Sequence, residues 1–245
     1  MMKTIDILGI DVLSSTTSEL LEDLDVLLSA PFKKAHSLTF VNAHTVNIVC
    51  EQPEAKEAIT SSDFVLNDGI GLDLAASYKG EKFSENLNGT DFTPEVLGLC
   101  EKKGYKVFLF GTKQEILEVT VKNIKAKFPN LNIAGYRNGF FTNEDTPSIV
   151  EEINESGADV LIVAMGNPKQ EMWIYENRSA LKVKLAMGVG AFFDFTAGAV
   201  TRAPMWIRKV KFEWLYRLYL EPQRMWKRYL VGNFKFMFRV LAAGK

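Results

Sequence analysis

Residues 157–174 read GADVLIVAMGNPKQEMWI. Val160–Met165 is an unbroken apolar run, the pattern of a strand buried on both faces. Asn167, Pro168 and Gln170 then supply a helix start: a cap, a first-turn proline, and an amide three residues after the cap. A buried strand that turns at once into a helix is a building block of a parallel sheet. The same texture continues outward in both directions. Further apolar runs lie at Ile5–Leu8, Leu38–Val41, Phe64–Leu66, Val107–Phe110, Ile133–Tyr136 and Val183–Met187. Helices are expected between them. Thr16 with Glu19, and Thr112 with Glu115, have the spacing of capping boxes. This alternation predicts an α/β domain over residues 1–201, with a mainly parallel, Rossmann-like sheet flanked by helices. Ligands of such folds bind at the carboxyl ends of the strands.

From Arg202 the texture changes. Ile207, Val210, Trp214 and Leu218 form one helical stripe. Pro222 closes that helix and opens another, on which Arg224, Lys227 and Arg228 share a face. Gly232–Asn233 reads as punctuation. Residues 202–245 hold eleven Lys/Arg against two acids, a net of +9, interleaved with ten aromatics, while residues 1–201 carry −10. A helical, basic-aromatic appendage of this kind suits an anionic membrane surface, with rings in the interface and cations at the headgroups. The acidic body argues against nucleic acid as the partner. The competing reading is an amphipathic helix packed on its own domain.

The two cysteines, Cys50 and Cys100, lie outside any CxxC pattern, which fits a reducing compartment and no disulfide scaffold. Only His36 and His44 are present, so a His-rich metal site is not expected. The N-terminus reads as a strand and not as a signal peptide, and no apolar run is long enough to span a bilayer.

Four further segments carry candidate chemistry. Asn67-Asp68-Gly69-Ile70-Gly71 follows a strand, which places the Asp68 carboxylate at the cleft as a general base; a plain Asp-Gly turn competes with that reading. Gly166 and the helix start after it offer backbone N–H groups to a diphosphate, with Gln170 facing the ligand or merely completing the cap. Gly188-Val189-Gly190 opens like a dinucleotide fingerprint, but position 193 is Phe where the third glycine belongs. That counts against a nucleotide-cofactor oxidoreductase. Asp194 beside it is suited to a base or ribose, or else to capping or an ion pair. Asn88-Gly89-Thr90-Asp91 reads as a turn into a helix capped by Thr90 or Asp91. His44 reads as structural.

Taken in order, FVNAHTVNIV (40–49), NDGIGLDLA (67–75), NGTD (88–91), VFLFG (107–111), RNGFF (137–141), GADVLIVAMGNPKQEMWI (157–174), MGVGAFFDFTAG (187–198), RAPMWI (202–207) and EWLYRLYLEPQRMWKRYLVGN (213–233) resemble the WecG/TagA/CpsF family of glycosyltransferases. The resemblance implies inverting transfer from a UDP-sugar, often UDP-N-acetylmannosamine, to a polyprenyl-diphosphate-linked sugar. Teichoic acid, capsule and exopolysaccharide pathways all remain open. It assigns Asp68 as the base and Asn42 and Gln170 as active-site partners. Asp194 falls to the nucleotide, and Arg217, Arg224 and Lys227 to the diphosphates; beside these, the strand-end glycines Gly111, Gly166, Gly188 and Gly190 are expected at the nucleotide and donor, and Arg228, on the same basic face, at the diphosphates. It further implies no metal or other cofactor, a peripheral position on the cytoplasmic face of the membrane, and a tendency to self-associate. Phe40 stands where many members carry Thr, and Asn86 where many carry Arg. Donor identity therefore stays open, with UDP-glucose and UDP-glucuronate as alternatives.

Overall fold

In the computed structural model, which describes residues 3–205, 207 and 213–244, eight strands form one sheet in the order β1-β2-β4-β3-β8-β7-β5-β6. These are β1 (Thr4–Asp6), β2 (Asp11–Leu13), β3 (His36–Val41), β4 (Phe64–Asn67), β5 (Val107–Gly111), β6 (Ile133–Arg137), β7 (Val160–Ala164) and β8 (Leu185–Gly188). Only β1 and β2 pair antiparallel, and every other neighbouring pair is parallel. Seven strands correspond to the apolar runs. The eighth, Asp11–Leu13, has too few residues to show a period, and it is held as the return arm of an edge hairpin.

Helices α1 (Thr17–Ser29), α2 (Ala43–Glu51), α3 (Pro53–Thr60), α4 (Ile70–Tyr78), α5 (Gly89–Lys103), α6 (Gln114–Lys127), α7 (Thr146–Glu155), α8 (Lys169–Asn177) and α9 (Phe192–Thr196) cover both faces. The Thr16–Glu19 capping box forms as expected. The Thr112–Glu115 box does not. Lys113 occupies the cap of α6, and the Thr112 hydroxyl turns instead to Asp194 Oδ1 at 3.2 Å. A tertiary acceptor has displaced a local one. Likewise α5 is capped by Asn88, whose Oδ1 accepts from Asp91 N, and not by Thr90 or Asp91.

The central strands are buried on both sides, as their unbroken apolar sequence requires: β5 and β7 have no exposed residue. Cys100 lies inside this core, fully buried, and burial pushes its thiol up to about 12, whereas Cys50 is exposed. A chromogenic disulfide reagent should therefore titrate one thiol in the native protein and two in denaturant, because the thiolate is the reactive form. Two fast thiols in the native state would contradict this packing.

After Pro222 the chain behaves only partly as the sequence suggests. Helices α10 (Glu213–Leu220) and α11 (Pro222–Trp226) are separated at Glu221, as expected. Gly232 does not break the next helix: a π-helical turn, Lys227–Val231, runs directly into α12 (Gly232–Ala243). The Gly232 carbonyl accepts from Asn47 Nδ2 at 2.8 Å, a docking contact that ties this turn to α2. Helix α12 packs on α2 and α4 and buries Phe236 and Val240 with Ile5, Val46 and Leu72. Arg239 reaches Asn47 Oδ1 at 2.7 Å and Glu51 Oε1 at 2.8 Å, and Lys235 also pairs with Glu51. Its other side exposes Phe234, Phe238 and Leu241. Val210 of the expected stripe lies outside the described residues, and so does the side chain of Arg224. Among the described residues no helix is long and apolar enough to cross a membrane.

Candidate active site

The carboxyl ends of β3, β4, β7 and β8 and the loops after β5 and β6 open on one cleft of about 1060 Å³. Asn42, Asp68, Gly166, Gln170, Gly188, Gly190, Asp194, Arg217 and Arg228 all line it. Gly111 and Lys227 are not among the lining residues. Gly111 instead marks where β5 presses on β7: a Cβ there would run into the Ala164 carbonyl.

Asp68 follows β4 directly. Its Oδ2 accepts from Asn42 Nδ2 at 3.2 Å. The orientation of that amide is fixed from behind. Asn42 caps α2, and its Oδ1 accepts from His44 N, Thr45 N and the Thr45 hydroxyl, so the NH₂ must face Asp68. The turn after Asp68 is strapped from the other side. Gly69 N donates to Asn86 Oδ1 at 2.9 Å, and the fully buried Asn67 bonds both Glu85 O and Leu87 N. Asn86 thus shapes the backbone beside the carboxylate. Burial raises the Asp68 pKa from its ordinary value. The Asn42 hydrogen bond and the charges of Arg228 and Arg217 oppose the rise, and Glu213 adds to it.

Gln170 neither caps α8 nor presents both ends of its amide to the cleft. Helix α8 begins without a side-chain cap: Pro168, which has no side-chain acceptor, holds the cap position, and Asn167 before it donates from Nδ2 to Glu171 Oε1 at 2.7 Å. Gln170 Oε1 accepts from Gly166 N at 3.1 Å and Gly190 N at 3.0 Å. Those two N–H groups are therefore committed within the protein and do not stand open to a phosphate. Asp194 Oδ1 accepts from Thr112, which ties the loop after β8 to that after β5. Phe193 is fully buried in the main core, so a third glycine is replaced there by packing.

The tail supplies cations to this cleft. The Arg217 guanidinium lies 5.4 Å from the Phe195 ring centre, and Arg202 lies 5.9 Å from the same ring. Arg202 also bonds Asp91 at 2.7 Å and pairs with Glu213, fixing the start of the tail to the body.

Several lining residues escaped the sequence reading. Thr112, Lys113, Phe140 and Phe141 follow β5 and β6, so strand-end position alone would have nominated them. His44, taken as structural, also lines the cleft; burial and then Arg228 lower its pKa to about 4, so it is neutral at pH 7. Phe40 does reach the wall, packing edge-on to Phe92 at 6.4 Å and against Gly89. Among the described residues no group of three or more His, Cys, Asp and Glu is placed to hold a metal ion.

Comparison with known proteins gives a consistent result. The family model described as "Glycosyl transferase WecG/TagA/CpsF family" matches residues 5–245. The N-acetylglucosaminyldiphosphoundecaprenol N-acetyl-beta-D-mannosaminyltransferase of Bacillus subtilis (strain 168) is 35% identical over 174 residues, which is 71% of this chain and 67% of that protein. The protein of the same name from Bacillus spizizenii (strain ATCC 23059 / NRRL B-14472 / W23) is 32% identical over 180 residues, 74% of this chain and 69% of its own length.

Proposed function

The chain belongs to the WecG/TagA/CpsF family of glycosyltransferases, and from that premise we propose that it transfers a sugar from a UDP-sugar, with inversion, to a polyprenyl-diphosphate-linked sugar in bacterial surface-polymer assembly. N-acetylmannosamine is the sugar favoured by the names of the two Bacillus relatives. The observation that carries the reading is one carboxylate, Asp68, held by Asn42 in a cleft that also presents Arg217 and Arg228.

In this reading Asp68 takes the proton of the acceptor hydroxyl as that oxygen attacks the anomeric carbon from the face opposite UDP. The bond from the anomeric carbon to the diphosphate oxygen breaks, and UDP leaves with the electron pair. Fixed guanidinium groups stabilise that developing charge. Arg217 and Arg228 fill this role, with no metal required. The exposed Tyr219, Phe234, Phe238 and Leu241 and the basic tail support peripheral contact with a membrane, which keeps the acceptor's lipid out of the cleft.

The direct test is UDP release, measured with a panel of UDP-sugars and a synthetic prenyl-diphosphate-sugar acceptor, with and without EDTA. Acceptor-dependent release from one donor, unchanged by EDTA, is the expected result. Loss of all release with EDTA would remove the metal-independent mechanism.

A pH profile provides a second check. The base must be ionised, so turnover falls as pH drops through the Asp68 pKa. Arg228 opposes the rise of that pKa. Arg228→Gln should therefore move the acidic limb of kcat to higher pH. A limb unmoved, or moved to lower pH, would dissociate Arg228 from the base.

A further inference from the structure

Beneath the cleft floor lies a polar group to which the proposed reaction gives no part. Glu171 is 3% exposed. Its Oε1 accepts from three elements at once: Thr39 Oγ1 of β3 at 3.2 Å, Asn167 Nδ2 of the turn after β7 at 2.7 Å, and Gln170 Nε2 of α8 at 2.7 Å. Its Oε2 is buried with no hydrogen-bond partner. Burial pushes the carboxyl up to about 7. A buried carboxyl without a salt partner is costly, and an apolar side chain at this helix position would pack without that cost.

What the acid accomplishes is visible in the amide next to it. A Gln side chain can present oxygen or NH₂ in either direction. Because Glu171 Oε1 accepts from Gln170 Nε2, the Gln170 oxygen must point the other way, and there it receives both Gly166 N and Gly190 N. A reversed amide would set NH₂ against two N–H donors. The latch also has no slack. A Cβ added at Gly188 would lie 2.8 Å from Gln170 Nε2 and 3.1 Å from Glu171 Oε1.

We propose that Glu171 is a positioning residue for donor binding: through Gln170 it ties the turns after β7 and β8 together and so sets the width of the cleft floor on which the nucleotide sugar lies. The inference rests on the proposed UDP-sugar activity and deepens it. Glu171 does not line the cleft; it acts on the ligand only through the two glycine turns.

Two substitutions separate position from charge. Glu171→Gln keeps an acceptor oxygen in place and removes the charge. Glu171→Asp keeps the charge and withdraws the oxygen by one methylene. UDP binding by calorimetry and the KM values for donor and acceptor are the readouts. Glu171→Gln should bind UDP as tightly as wild type, and Glu171→Asp at least tenfold more weakly, by the loss of the hydrogen bond that holds Gln170. The KM for the donor should rise while that for the acceptor holds. Wild-type affinity in Glu171→Asp would overturn the inference. So would equal weakening in both variants, which would assign the effect to charge. Should Glu171→Asp not fold, Thr39→Val removes one donor to the latch from outside the cleft; it should weaken UDP binding about threefold, and unchanged binding would again overturn the role. Failure of the wild-type protein to bind UDP would instead overturn the donor assignment itself, and this inference with it.

Discussion

Asp68→Asn should leave the protein folded and lower turnover by about 10²–10⁴-fold, the usual worth of a positioned general base. The side chain changes by one atom, and its environment already tolerates a neutral group, since burial favours the protonated carboxyl. Its hydrogen-bond partner, Asn42 Nδ2, has a carbonyl oxygen to meet in the variant. Stability should therefore hold. UDP affinity should also hold, because Asp68 is assigned to the acceptor side of the reaction. The variant then shows a fall in kcat with little change in the donor KM, the signature of an interaction made only in the transition state. Near-normal turnover would remove Asp68 from catalysis. A kcat loss matched by a loss of UDP affinity would place it in donor binding instead.

Phe236→Ala should destabilise the protein by about 3–5 kcal/mol, the typical result of emptying a buried aromatic site. Phe236 is fully buried between α12, α2 and α4, and its ring lies 3.7 Å from where a Cβ on Gly71 would stand. Phe238, two residues away, is 72% exposed. Phe238→Ala should change stability by no more than about 0.5 kcal/mol while reducing retention on anionic liposomes. Urea midpoints for the pair give the test. Equal, small effects would mean that α12 is not part of the fold. Equal, large effects would mean that its outward face is covered. The contrast also bears on truncation. Removing residues 202–245 takes away Phe236 and Val240 and uncovers the apolar face of α2 and α4. Activity lost on truncation would therefore combine lost membrane contact, lost cations and a damaged core. Point substitutions on the outward face separate these.

The architecture and the neighbourhood of the site were legible in the chain's own pattern of apolar runs and helix starts. Unbroken apolar runs such as Val160–Ala164 carry their burial in their composition, and the strand-helix alternation leaves a parallel sheet as the consistent arrangement. Ligand chemistry at strand ends follows from that arrangement, which is why Asp68, Gln170 and Asp194 were found in one cleft although they are far apart in the chain; Asn42, implied only by the family resemblance, joins them there. The short β2 and the continuity of helix through Gly232 were not legible, because three residues show no period and a glycine's local preference yields to a docking contact.

The partner of each polar side chain was settled by the folded sheet. Thr112 has the spacing of a cap and bonds Asp194; Asn167, expected as a cap, precedes the cap residue Pro168 and bonds Glu171; Gln170 joins Gly166 to Gly190. Asn42 alone does both, capping α2 with its oxygen and holding Asp68 with its NH₂. The physical reason is common to all four. A local cap and a long-range partner each offer one hydrogen bond of about 1 kcal/mol, so spacing along the chain does not choose between them. The choice falls to the folded sheet, which sets both donor and acceptor where water is excluded and an unmade bond is costly.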